Sequence, residues 1–354
     1  MFNIGNIQIN GRVALAPMAG YTSLGYRNFM NPFGVSFCFT EMVSDMGLIY
    51  GNKETLSYIK FPKSNVPTAI QLFGSEPKNL AKALLICENL NPNVDFYNVN
   101  MACPVNKVTK SGAGSSLMKD PKKCGEIIKA LKEVTNKPIT AKIRLGWDSK
   151  SINYLEVIKE MEKAGVDMIA IHARTTKELY TGTPHFELLK DLRKSMPCPL
   201  VVSGNIFNPE DAINAMKITG ADAVMVARGG VGNPYLITNI NNILEDKEIY
   251  SPSLMEQADY CKKLASNLIE EKGEDLAMKI FRSMSGHFFT SFPNSKKVRC
   301  RLASEVVTYK QLNQIIDEYV DEIKEKIDFW LQVSQKFIYT INRWRFYLWI
   351  TFKI

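Results

Sequence analysis

One cysteine stands where chemistry is possible. Cys103 follows the strand-like run VDFYNVN (94–100), with Pro104 next and the glycine-rich stretch GAGSSLM (112–118) after it. A cysteine is most often a small buried hydrophobe. On a loop leaving a strand, the thiol can instead act as a nucleophile, or as a general acid that protonates a carbanion-like carbon. Polar residues close other apolar runs as well: Gln71; Asn98 and Asn100; Lys142 and Arg144; His172 and Arg174; Ser203-Gly204-Asn205; and Arg228-Gly229-Gly230. Any one of these is compatible with a satisfied polar group at a strand end. Six such ends together describe a site.

The turns SGN (203–205) and ARGG (227–230) offer glycines and free backbone N–H groups ahead of helical segments, which suits a phosphate. A mononucleotide such as FMN would place its phosphate there and its ring above APMA (16–19). Lys142 would then face the N1/O2 edge of the ring, where a cation stabilises the reduced form. Two other readings of Lys142 stay open: an ion pair with a strand-end carboxylate, or a Schiff-base lysine of the aldolase kind.

These groups need a scaffold, and the chain is organised to supply one. Eight apolar runs recur: VALAP (13–17), VSFCFTE (35–41), PTAIQLFG (67–74), VDFYNVN (94–100), PITAKIR (138–144), VDMIAIHAR (166–174), CPLVVSGN (198–205) and ADAVMVAR (221–228). They are rich in β-branched residues and lack strict alternation, as strands buried on both faces do. Helical patterns lie between them, for example at 77–90, 151–165 and 208–220. The run ends are 24 to 42 residues apart, room for a strand, a helix and two loops. Eight such units predict a (β/α)8 TIM barrel over 1–245. A doubly wound sheet would show GxGxxG after its first strand; APMAG does not match.

Strand-like runs cease near residue 250. Segments 251–273, 275–289 and 303–332 read as three helices, giving a C-terminal all-helical domain over 250–333. An aromatic-rich tail over 334–354 has no assigned role, and with Arg343 and Arg345 it is too short and too charged for a membrane span. The seven cysteines form no CxxC pair and no zinc spacing, so no metal is expected, and they read as reduced thiols of a cytoplasmic protein. The net charge of +8 favours a polyanionic partner without requiring one. Within 278–301 there are Lys279, Arg282, Lys296, Lys297, Arg299 and Arg301 and no acid, with His287, Phe288 and Phe289 among them. Cations mixed with aromatics suit RNA; a solvated helix face with a basic loop is the plainer alternative.

The motifs APMAGYTSLGYR, TEMVSDMGL, QLFGSEP, DFYNVNMACPVNKV, GAGSSLM, KIRLGWD, IHARTTKELYTG, SGNI and VARGGVGNPYLI, in this order over about residues 4–240, resemble the bacterial tRNA-dihydrouridine synthases. The resemblance implies FMN as prosthetic group, NADPH (or NADH) as reductant and tRNA as partner, with no membrane and no stable protein partner. It implies Cys103 as proton donor. It implies Pro17, Met18, Ala19, Gln71, Lys142, His172, Ser203, Gly204, Asn205, Ala227 and Arg228 at the FMN, and Asn100 and Arg174 on the uracil side. Lys107, beside Cys103, is expected to hold phosphates near the target base, and Lys296 and Lys297 to contact tRNA from the helical domain. Ala102, Asn205 and Ala227 depart from the residues most common in that family. A flavin barrel acting on a free small molecule, such as dihydroorotate, is the nearest rival.

Overall fold

The structure, a computed structural model, describes residues 1–338. The expected tail lies outside the described residues from 339 onward. Strands β1 (Phe2–Ile4) and β2 (Ile7–Ile9) form an antiparallel hairpin. The next eight are β3 (Val13–Leu15), β4 (Phe37–Ser44), β5 (Thr68–Phe73), β6 (Phe96–Asn100), β7 (Ile139–Arg144), β8 (Met168–His172), β9 (Leu200–Ser203) and β10 (Ala223–Val226). They close into a parallel barrel in sequence order, β10 pairing with β3 through Val224↔Val13. Each lies within or across one of the eight apolar runs. Every residue of β3, β6, β8, β9 and β10 is buried, which explains why the runs do not alternate.

Between the strands run helices such as Pro77–Leu90, Tyr154–Lys163 and Pro209–Thr219. The last shows the local logic well. Asn208 and Asp211 form a capping box at its start, Pro209 takes the first turn, and Gly220 ends it in the left-handed region.

The N-terminal hairpin has no counterpart in the sequence reading. Its Ile4 and Ile9 pack with Phe37, Phe96, Met168 and Ala223, the first residues of their strands, so the hairpin closes the amino end of the barrel. Phe37, Phe39 and Phe96 are fully buried there with ring centroids 5.8–6.3 Å apart. Each such ring contributes about 1.5–3 kcal/mol by burial. With that end packed solid, the carboxyl end is left for ligands.

Strand β4 continues to Ser44, past the expected end at Glu41. An irregularity between Phe39 and Met42 shifts its register, after which Met42 pairs with Gln71. Such an irregularity breaks the pattern that marks a strand end.

The chain divides into two compact units, Met1–Gly229 with Leu236–Lys247, and Gly230–Tyr235 with the chain from Glu248 on. Among the described residues the second contains four α-helices where three were expected: Leu254–Lys272, Glu274–Ser285, Ser295–Ser304 and Tyr309–Ile338. The unread one, Ser295–Ser304, is the basic stretch. Only Val298 and Leu302 on it are buried hydrophobics, too few to show a period, yet their i, i+4 spacing makes one inward face. Within this unit Phe281, Phe288, Phe289 and Leu302 are buried, and Tyr319 Oη donates to the Pro293 carbonyl at 2.6 Å.

Candidate active site

Cys103 is held from three directions at the carboxyl end of the barrel. Asn100, the last residue of β6, is buried, and its Nδ2 donates to Gln71 Oε1 at 2.8 Å and approaches Met42 Sδ at 3.0 Å. Its Oδ1 therefore faces the loop, accepting from the N–H groups of Ala102 (3.0 Å) and Cys103 (2.8 Å). The Cys103 carbonyl accepts from Ser115 N–H at 3.0 Å and Ser115 Oγ at 2.9 Å. The Ala102 carbonyl accepts from Arg144 Nε at 2.8 Å. Gly114 makes this closeness possible: its φ is +60°, and a Cβ there would lie 2.7 Å from the Cys103 carbonyl oxygen.

Below the loop the polar strand ends satisfy one another. Gln71 Nε2 donates to Asn98 Oδ1 (2.7 Å), Asn98 Nδ2 to Thr140 Oγ1 (2.8 Å), and Thr140 Oγ1 to the Tyr97 carbonyl (2.9 Å). Gln71, expected at the cofactor, is fully buried and pairs its amide atoms with Asn98 and Asn100, so it also orients Asn100. A network so fully satisfied is rigid.

Burial, the largest influence, pushes the Cys103 thiol up; the Val105 N–H and the charges of Arg144 and Lys142 oppose it only in part. A thiol that keeps its proton at neutral pH is suited to donate it rather than to attack as thiolate.

Basic side chains gather at this end of the barrel. Lys142, Arg144, Arg174 and Arg228 all act on His172, and among the described residues none of the four has an ion pair. Arg144 is buried, and its Nη1 donates to the carbonyls of Thr175 and Leu179, each at 2.8 Å. Arg174 Nε donates to the Thr181 carbonyl at 2.8 Å and Nη2 to that of Gly182. Its Nη1 lies 3.2 Å from His172 Nε2, which must accept, so the imidazole proton sits on Nδ1. Burial first, then these cations, holds His172 well below its ordinary value, so it is neutral at pH 7.

Lys142 is half-buried, and its side chain makes no hydrogen bond among the described residues. Burial first, and Arg144 second, lower it from 10.5 to about 7. The unfolded chain keeps this proton to about 10.5 while the folded chain releases it near 7. Between those pH values the unfolded state binds more protons, so stability rises with pH. Lys142→Met is therefore expected to stabilise the ligand-free protein at pH 6, with the gain disappearing as pH rises from about 7 toward 10.5. Denaturant midpoints across that range check it; a gain independent of pH would contradict it.

The ends of β9 and β10 form the other side of the mouth. Gly204 has φ +135° and Asn205 φ +47°, a left-handed conformation that Asn tolerates. Gly229 packs so tightly that a Cβ would fall 1.9 Å from the Ile206 carbonyl oxygen. Among the described residues the N–H groups of Gly204 and Asn205 donate to no protein acceptor. Arg228 is exposed, its guanidinium 5.4 Å from the Tyr180 ring centroid and 5.6 Å from that of Phe207, with Nη2 3.4 Å from Asn205 Oδ1. Ser203 ends β9 and Ala227 follows β10.

After β3, Pro17 and Met18 are half-buried and Ala19 is exposed. Thr22 Oγ1 ties this turn by accepting from Met18 N–H (2.8 Å) and donating to the Ala16 carbonyl (2.9 Å). Lys107 is exposed on the short helix Asn106–Thr109 just beyond Cys103. Lys296 and Lys297 are exposed on Ser295–Ser304, in the second unit, and are not part of this constellation.

Three residues escaped the sequence reading: Ser115, Gly114 and Tyr180. The first two lie inside the quoted GAGSSLM segment, but nothing in that segment says that it folds back on Cys103. Tyr180 lies between two guanidiniums, with Arg144 also 5.4 Å from its centroid.

A closed (β/α)8 barrel whose carboxyl end joins a protonated thiol to a cluster of basic side chains defines a barrel enzyme suited to anionic ligands. The family model for dihydrouridine synthases matches residues 14–326. A probable tRNA-dihydrouridine synthase of Rickettsia conorii is 33% identical over 301 residues, covering 84% of this chain and 90% of that protein. The tRNA-dihydrouridine synthase B of Pasteurella multocida is 30% identical over 280 residues, 79% of this chain and 84% of its own. Among solved structures, histamine dehydrogenase from Rhizobium sp. 4-9 shares the fold at a TM-score of 0.53 and 15% identity, over 80% of this chain and half of that one. The chain belongs to the dihydrouridine synthase family. The aldolase and dihydroorotate alternatives are set aside by that match.

Proposed function

We propose that the protein reduces the C5=C6 bond of particular uridines in tRNA to 5,6-dihydrouridine, with FMN as prosthetic group and NADPH or NADH as reductant, in the cytoplasm. One observation carries the conclusion: a thiol that keeps its proton, clamped by Asn100 and Ser115, lies beside Arg144 and Lys142, neither of which has an ion pair among the described residues. The names of the Rickettsia conorii and Pasteurella multocida relatives support tRNA as substrate.

The residues present fit FMN. Its phosphate matches the unengaged N–H groups of Gly204 and Asn205 together with Arg228, with Ser203 and Ala227 alongside. Pro17, Met18, Ala19, Gln71, Lys142 and His172 would border the rest of the group. FMN bound there supplies a hydride to C6 of the uracil and is restored by the nicotinamide reductant.

The protein's own part is the proton. Electrons added at C6 leave an enolate across C5, C4 and O4. Cys103 Sγ gives its proton to C5, the S–H bond breaking as the C–H bond forms, and the resulting thiolate draws a proton from solvent. Arg144 and Lys142, both of which favour the charged sulfur, reduce the cost of that thiolate. Asn100 and Arg174 line the uracil side, and Lys107 takes a phosphate next to the target base. A base must leave its stack to reach the mouth, which favours loops that are already unstacked.

The helical region 250–333 serves as the tRNA-binding domain. The double variant Lys296→Glu, Lys297→Glu is expected to weaken tRNA binding about tenfold or more and to flatten its salt dependence, with flavin content retained. Unchanged affinity would remove this surface from the interface. The function itself is tested by mapping dihydrouridine in tRNA from cells lacking the protein. At least one position should revert to uridine, and an unaltered map would overturn the assignment.

A further inference from the structure

We propose that Trp147, Lys119 and Lys177 form a phosphate clamp on the rim of the barrel mouth, gripping the backbone of the RNA strand that bears the target uridine. This rests on the proposed function and adds a contact surface on the barrel itself.

The three residues come from three loops, which follow β6, β7 and β8. Lys119 Nζ lies 3.5 Å from the Trp147 ring centroid and Lys177 Nζ lies 5.8 Å from it. Both lysines are exposed, and among the described residues neither has an ion pair. The neighbouring acids are engaged elsewhere: Asp148 accepts from Ser151 Oγ at 2.6 Å and from Lys150 N–H at 3.1 Å, Asp120 from Lys123 N–H at 3.1 Å, and Glu178 from Thr175 N–H at 2.7 Å and Thr175 Oγ1 at 2.8 Å.

The backbone beneath the indole is fixed. Lys177 N–H donates to the Trp147 carbonyl and Thr176 N–H to that of Gly146, each at 2.9 Å. Gly146 bridges to Ile152, and a Cβ on it would lie 2.1 Å from the Ser151 carbonyl oxygen.

A surface lysine ordinarily samples many rotamers and loses that freedom when it binds. Here an aromatic face holds two ammonium groups in place beforehand, so less is lost when an anion arrives. The site is an open rim rather than an enclosed pocket. That favours a chain of phosphates over a single small anion, beside an indole that is half-buried. Lys119 ends the turn Gly114–Lys119, whose Ser115 holds the Cys103 carbonyl. A phosphate on Lys119 is thus in register with the thiol through one short rigid segment.

The double variant Lys119→Gln, Lys177→Gln in the flavin-loaded protein should weaken tRNA binding about tenfold near 0.15 M salt. The slope of log affinity against log salt should become shallower by about one to two. Lys119→Arg with Lys177→Arg should restore both. Trp147 is one of four tryptophans, with Trp330, Trp344 and Trp349, so the difference between wild-type and Trp147→Phe emission reports on the site. A short single-stranded oligoribonucleotide should change the emission of the wild type by more than that of Trp147→Phe, and equal changes would count against the clamp. Unchanged affinity and slope, in a preparation that still forms dihydrouridine, would overturn the clamp and leave the function standing. A wild-type protein that forms no dihydrouridine would overturn both.

Discussion

Replacing Cys103 by alanine is expected to leave a folded, yellow protein that reduces tRNA uridines about 10²- to 10⁴-fold more slowly. The size follows from what is lost. The thiol is the titratable group clamped on the β6 loop, and burial keeps it protonated where Arg144 and Lys142 can accept the thiolate it becomes. Alanine removes the donor and little else. The hydrogen bonds that shape the loop involve the backbone of residue 103, namely its N–H to Asn100 and its carbonyl to Ser115, and these survive. Flavin absorbance should therefore match the wild type while dihydrouridine, measured in tRNA by mass spectrometry, nearly vanishes. Serine should not rescue, because a hydroxyl is a far weaker acid than a thiol. Turnover at the wild-type rate in the alanine variant would place the proton source elsewhere.

The second large effect is expected from Asn100→Ala. This side chain connects the strand-end network to the reactive loop: Nδ2 donates to Gln71, and Oδ1 accepts from two successive N–H groups. Its removal leaves the Gln71 Oε1 and the N–H groups of Ala102 and Cys103 without their partner in a buried setting. Unsatisfied buried groups cost about 1–3 kcal/mol each, so a loss of roughly 2–4 kcal/mol in unfolding free energy is expected, readable in a denaturant melt. Turnover should fall at least as far as the loosened thiol demands, about 10² or more. A structural role alone would lower stability without changing kcat in the fraction that remains folded. Asn100→Asp separates the two contributions. It keeps the acceptor for the loop but sets a carboxylate oxygen against Gln71 Oε1, so it should preserve more activity than alanine while still lowering stability.

Much of the frame could be read from residue order. The eight apolar runs, their lack of alternation and their spacing describe a closed parallel barrel, because strands buried on both faces must be apolar throughout and each parallel return needs a helix. The polar residues ending those runs mark the mouth for the same reason: a barrel interior does not otherwise admit Asn98, Asn100, Lys142 or His172. The motifs around Cys103 and His172 carried the family, and the match over residues 14–326 agrees with it.

What the order of residues could not convey is which polar group faces which. Gln71 and Lys142 look alike as strand-end polar residues, yet Gln71 is locked between Asn98 and Asn100 while the Lys142 side chain has no hydrogen-bond partner among the described residues, a difference set by the registers β5–β6 and β6–β7. Ser115, twelve residues from Cys103, became its clamp only because Gly114 turns left-handed and lets the loop fold back. The hairpin of Ile4 and Ile9 was missed since three-residue strands show no period, and the helix Ser295–Ser304 since one short inward face carries almost no hydrophobic signal. Local sequence determined the elements and the kinds of groups at their ends. Only closure of the barrel, which brings strands far apart in the chain into register, decided which of those groups meet.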